Sequence, residues 1–304
     1  MKPLHSIICL LVVVLVGLTA CSRKASELSD AELTKAFEQA TEELVCFNFP
    51  ASYQLFSDLL ASLPAEHPLY FKTTYGKATC AQHITPPTHA MLNEAITLFE
   101  QIVNQCKDEQ LVGRSMINLG RIAELRDYPG DEIDLVKARD YYTKVVERYA
   151  SSELADEAIL WTAGTYIQVV ADRDSKLHGV EMLEKWLKDR PDNAFASPMW
   201  TYLAQTYQLE LMDLSNALNC YLMADKIGLP VDSQVSMIYW RMATIAEKVP
   251  NALQTSVNYY QKIIRITPTS GRAFESQLAL ERLSKAHPEM KIQVPQIKLY
   301  QIGE

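Results

Sequence analysis

The chain has 304 residues, 48% of them hydrophobic and 22% charged, and a formal net charge of −8. That balance excludes nucleic acid or an anionic lipid surface as a broad electrostatic partner. Ten glycines and little β-branched alternation read as helix, and a chain this long needs no disulfide staples to hold a core.

The N-terminus "MKPLHSIICLLVVVLVGLTACSRKASELSD" starts with Lys2 and continues as an uncharged run of 14 residues from Ile7 to Ala20. A membrane-spanning helix needs about 20 apolar residues, so residues 1–20 read as a secretory signal peptide, with an uncleaved anchor as the alternative. Leu18-Thr19-Ala20-Cys21 resembles a bacterial lipobox. Small residues at 19 and 20 admit the peptidase, and the Cys21 thiol is the nucleophile that takes the diacylglycerol. One acyl chain holds a protein only marginally, and two or more hold it stably. Ser22, in place of Asp, favours the outer membrane by the sorting rule of enteric bacteria. Removal of 1–20 leaves 28 basic and 37 acidic residues, a charge of about −9. Residues 21–29 form a polar linker.

From Ser52 a repeat begins. A small residue is followed by a large one four places on, apolar residues at seven and eight (save Asp225 at the eighth in the Ala217 copy), and a helix stop near twelve. Ser52, Ala95, Ala138, Gly179, Ala217 and Ser256 anchor six copies, spaced 43, 43, 41, 38 and 39 residues apart. The large residues are Phe56, Phe99, Tyr142, Leu183, Tyr221 and Tyr260, and Pro64, Pro191, Pro230 and Pro268 serve as stops. Offsets of 0, 4, 7 and 8 share one helix face, where the small residue admits a neighbour. The stretch from about Asp30 to Cys46 reads as a helix that fits this pattern poorly and caps the stack.

A second helix precedes each anchor from Ala95 onward, with a small residue at its middle: Gly76, Gly120, Gly164, Ala204 and Ala243, and then Ala279 in an unpaired closing helix at 271–287. Glycine inside a helix costs about 1 kcal/mol against alanine, so three glycines at one place predict tight helix contact. "DYPGDEID" (127–134) and "ADRDSK" (171–176) read as polar, turn-forming insertions.

This small–large–proline pattern over residues 30–287 resembles the tetratricopeptide repeat (TPR). The resemblance implies an all-α, right-handed superhelical solenoid of about six helix-turn-helix repeats. "YTKVVERYASSELADEA", with Tyr149, Ser152, Ala155 and Ala158, is similar to the repeats of envelope lipoproteins of the branch that includes the β-barrel assembly lipoprotein BamD and the Tol–Pal-associated periplasmic protein. Ala150 stands where that branch has proline.

In that family the first helix of each pair lines a concave groove, with residues three before, one after and four after the small position facing it. Carried over, these are Ile117, Arg121 and Glu124; Trp161, Thr165 and Gln168; Thr201, Gln205 and Gln208; and Trp240, Thr244 and Glu247. The expectation is a peptide-sized groove anchored by Trp161 and Trp240, the alternative being that both rings are core. Cys46 and Cys80 end first helices of successive repeats, so a disulfide, if one forms, joins these two; the alternative is free buried thiols.

No catalytic motif emerges, and no cofactor or metal is implied. His83, His89 and Cys80 match no common metal-site spacing, and Asp172 and Asp174 read as solvated loop charge. The tail at 288–304 alternates Ile292, Val294, Ile297 and Leu299 around Pro295, and reads as an extended strap on the solenoid or a segment that folds onto a partner. The function expected is a lipid-anchored scaffold that binds a protein or peptide partner in the bacterial envelope, as in β-barrel assembly or Tol–Pal-linked wall maintenance. The alternatives are an accessory subunit of an envelope enzyme and a passive spacer. The oligomeric state stays open.

Overall fold

A computed structural model describes residues 29–125, 132–168, 170–229 and 235–297. Residues 1–28, with the signal segment, the lipobox and most of the linker, lie outside the described residues. So do most of the 127–134 insertion and the end of the tail.

The described chain is all-α, with thirteen α-helices and one short 3-10 turn. They are α1 Asp30–Val45, α2 Phe49–Ser62, α3 Tyr70–His83, α4 His89–Gln105, α5 Glu109–Glu124, α6 Leu135–Arg148 and α7 Glu153–Tyr166. Then come α8 Arg173–Asp189, α9 Ala196–Leu209, α10 Leu214–Ile227, α11 Val235–Ala246, α12 Leu253–Ile266 and α13 Gly271–Ala286. They divide into two compact units with the boundary between Ser115 and Met116, inside α5.

The repeat sets where helices stop. All six anchored helices end ten residues after their anchor, at Ser62, Gln105, Arg148, Asp189, Ile227 and Ile266. Every anchor is buried, and the six large residues that follow are at most 1% exposed. A pattern that repeats only every forty residues is thus a burial pattern. Burying a large side chain of this kind is worth about 1.5–3 kcal/mol. Four of these helices also start on a side-chain cap. Thr88, Asp134, Asp172 and Asp213 accept from the backbone N–H of Met91, Lys137, Ser175 and Asn216. Asp172 is therefore the N-cap of α8 and not only loop charge. The hydrogen bond from Ser175 N–H lowers its pKa. The "ADRDSK" segment is loop only up to that cap, and its Lys176 is buried on α8 and paired with Glu210 at 2.7 Å.

In the first unit α1 packs on α2, α2 on α3, α3 on α4, and α1 also meets α3. The first helix is more than a cap. Its Ala40 is fully buried beside Phe56 and Cys80, and Ser52 Oγ donates to the Ala40 carbonyl at 2.8 Å. Helices α1 and α2 therefore form a complete hairpin.

In the second unit α6 packs on α7, α7 on α8, α9 on α10, α11 on α12 and α12 on α13, around one continuous apolar core. Between α7 and α8, Asp156 is 2% exposed and accepts from Trp186 Nε1 at 3.0 Å and Arg190 Nη2 at 3.2 Å. The described part of the tail, 288–297, runs as a strap. Met290, Ile292, Val294 and Ile297 pack against this core, and Gln261 Nε2 donates to the Gln293 carbonyl at 2.8 Å.

The glycines part from the expectation. A Cβ on Gly76 would sit 2.5 Å from the Phe56 ring, and one on Gly120 would sit 2.4 Å from the Tyr142 ring, so these two admit neighbouring side chains, not backbones. Gly179 meets both: its Cβ would lie 2.7 Å from the Ile167 side chain and 2.9 Å from the Ala163 carbonyl oxygen. Gly164 has ordinary space, with Tyr202 Oη 3.7 Å away, because it faces a cavity.

Candidate functional site

The cavity is a cleft of about 530 Å³ in the second unit. Leu160, Trp161, Gly164, Ile167 and Gln168 reach it from the α7 region, and Ser197, Pro198, Thr201, Tyr202 and Gln205 from α9. Leu229 and Ile238 close one side, and Glu124, the last residue of α5, lies opposite. Of the twelve residues expected in a groove, Glu124, Trp161, Gln168, Thr201 and Gln205 converge here.

The others do not. Trp240, Thr244 and Glu247 line a second hollow, with Lys248, Tyr260 and Arg282, and the two linings share no residue. Trp161 and Trp240 thus line two different hollows. Ile117 is 4% exposed and belongs to the core. Thr165 is buried, with its hydroxyl donating to the Thr162 carbonyl at 2.7 Å and accepting from Arg139 at 3.4 Å.

A recurring bond engages the residue four after the small position. Tyr142 Oη donates to Glu124 Oε2 at 2.9 Å, Tyr221 Oη to Gln208 Oε1 at 3.4 Å, and Tyr260 Oη to Glu247 Oε1 at 2.6 Å. In three hairpins the large tyrosine of the second helix is thus tied to the polar residue of the first. The fold uses those acceptors to satisfy buried hydroxyls. In the α7–α8 hairpin the large residue is Leu183, which has no hydroxyl, and Gln168 is left to line the cleft.

Trp161 is half-buried, a wall of the cleft. The Arg121 guanidinium lies 3.8 Å from its ring centroid, and Nε1 donates to Glu157 Oε1 at 3.3 Å. Arg121 Nη1 also pairs with Glu124 Oε2 at 2.9 Å. One cation therefore covers a tryptophan face and pairs with one oxygen of a carboxylate that is only 5% exposed. Tyr202 is pushed up to about 12, first by burial and then by the charges of Glu124 and Glu210. It stays a neutral hydroxyl at any ordinary pH. Trp240 is likewise half-buried, edge-on to Tyr260 with centroids 5.3 Å apart, and faces Arg272 at 5.0 Å.

The cysteines remain separate thiols. Cys46 is exposed, while Cys80 is fully buried, its Sγ donating to Ser52 Oγ at 3.2 Å. Burial raises the Cys80 pKa, outweighing that hydrogen bond. The Cys46–Cys80 pair is not formed, because Cys80 points into the core with Ala40 and Phe56 while Cys46 caps the solvent end of α1.

Fold and site define a class: an all-α chain of helical hairpins with an apolar cleft between first helices of its second unit. No family model matches the sequence, and no curated protein matches it. Among solved structures the chain is similar to the crystal structure of the TPR domain of P58(IPK). Identity is 14%, over 85% of this chain and 68% of that one, with a TM-score of 0.34. So loose a superposition carries no argument.

Proposed function

We propose that this chain is a non-enzymatic, lipid-anchored scaffold of the bacterial envelope whose second-unit cleft takes a segment of a protein partner. The observation that carries the reading is the cleft itself. Its volume lies in the range of sites that bury a small ligand or a few residues of peptide. Its walls are apolar, and Gln205, Gln168 and Tyr202 bring polar groups to orient a backbone. The Leu18-Thr19-Ala20-Cys21 motif supports the anchor, and Ser22 supports the outer membrane. The anchor would hold the cleft near envelope partners and raise their effective concentration. β-Barrel assembly and Tol–Pal-linked maintenance are the settings the repeat resemblance favours.

Photo-crosslinking in living cells tests this. With a photoreactive residue at Gln205, the reading expects one dominant captured protein, absent when the same residue replaces exposed Lys188. Equal capture at both positions, or none at either, would leave a spacer and defeat the proposal. Capture confined to loop positions would favour an accessory subunit. Cys21→Ala is expected to move the protein from membrane to soluble fractions; unchanged partition would remove the lipid anchor.

A further inference from the structure

We infer that the second-unit cleft selects a partner segment carrying lysine or arginine, its aliphatic stem along the apolar wall and its charged head at Glu124. This deepens the cleft reading above and rests on it.

One oxygen atom points to this chemistry. Glu124 is 5% exposed and is the single charged residue among the described residues lining the cleft. Arg121 and Tyr142 both donate to its Oε2. Oε1 accepts no hydrogen bond from any described residue. A carboxylate oxygen can take two donors, so Oε1 keeps its full capacity to accept. Glu124 lines the same space as Trp161 and Tyr202.

Three ligand chemistries can be compared. An acidic segment would set a second carboxylate against Glu124, in a chain whose net charge is already −8. A purely apolar segment would expel water from Oε1 and leave it unpaired. A basic side chain does neither. Its methylenes cover Ile167, Pro198 and Ile238, its head donates to Oε1, and the Tyr202 hydroxyl stays neutral and able to accept. Arg121 does not block it, because its guanidinium is already committed to Oε2 and the Trp161 face.

The test selects displayed peptides against the full chain in detergent. The expected winners share a lysine or arginine beside an apolar residue, and changing that basic residue to leucine or glutamate weakens binding by about tenfold or more. Glu124→Gln is expected to erase the preference for the basic residue. Gly164→Leu, whose Cβ would have only Tyr202 Oη near it, at 3.7 Å, is expected to fill the cleft and abolish binding. Winners with no shared basic residue, a preference that survives Glu124→Gln, or no winners at all would overturn the inference. Apolar winners that Gly164→Leu still blocks would leave the cleft reading standing. Winners that ignore Gly164→Leu would sink both. Should Glu124→Gln fail to fold, the peptide-side substitutions decide alone.

Discussion

Tyr142 and Glu124 meet at 2.9 Å across the α5–α6 hairpin, a buried hydroxyl donating to a buried carboxylate. Burial, and then the Glu124 charge, hold the Tyr142 pKa well above its ordinary value, so the tyrosine remains a donor. Tyr260 repeats the arrangement with Glu247, and Tyr221 with the neutral Gln208 at a longer 3.4 Å. Tyrosine-to-phenylalanine changes should rank accordingly. Tyr142→Phe is expected to cost about 2–3 kcal/mol, since it strips a donor from a desolvated charge, and Tyr221→Phe about 0.5–1 kcal/mol. Urea unfolding at neutral pH measures both; equal losses would mean the hydroxyls do not matter.

The glycines separate by what they face. Gly120→Ala would drive a methyl group into the fully buried Tyr142 ring, at an expected cost of about 1–3 kcal/mol. Gly164→Ala meets only open cleft, and alanine is the better helix former, so stability should rise by about 0.5–1 kcal/mol. Opposite signs for one substitution at corresponding positions are the outcome to seek in thermal unfolding. Loss at both sites would mean that the cleft is closed.

Much of the helical plan was legible in residues. The small anchor and the large residue four places on marked buried positions and gave the six helix ends, because one face of a second helix must pack the same way in each hairpin. Helix α1, read as a cap that fits the pattern poorly, packs as half of a hairpin. The usable signal was Ala40, twelve residues before Ser52, close to the thirteen that separate Ala204 from Ala217. The site was less legible. Spacing told which residues share a face, but not that a partner tyrosine would claim three of them. Glycine spacing could not distinguish a ring pressed close, as at Gly76, from empty space, as at Gly164.

Acid should weaken one network in particular. Asp225 accepts from Lys262 Nζ at 2.8 Å, Tyr259 Oη at 2.7 Å and Tyr239 Oη at 2.9 Å. Burial pushes its pKa up, but these bonds and the Lys262 charge win, and the carboxyl titrates below its ordinary value. A lowered carboxylate stabilises the fold above its unfolded pKa and loses that contribution as pH falls through the folded one. Asp225→Asn should therefore cost about 1–3 kcal/mol at pH 7, with the gap to the native chain closing below about pH 4. A gap constant from pH 7 to pH 3 would show that Asp225 does not titrate this way.

Thiol reactivity should follow burial. Cys46, exposed, is expected to label within minutes in the folded protein, while Cys80 and Cys220 wait for unfolding. Burial, aided by the charges of Glu184 and Asp213, pushes Cys220 up to about 12, far from a reactive thiolate. Mass spectrometry after denaturation should count four thiols beyond Cys21. Two would mean that a disulfide forms after all.

The most direct measurement is the affinity of a partner segment, captured at Gln205 or selected by display, for the native chain and for Gly164→Leu. The account predicts binding lost by at least about tenfold in the variant, with an unfolding temperature no lower than native. Equal affinity in two equally folded proteins would contradict it, because the segment would then bind somewhere other than the cleft.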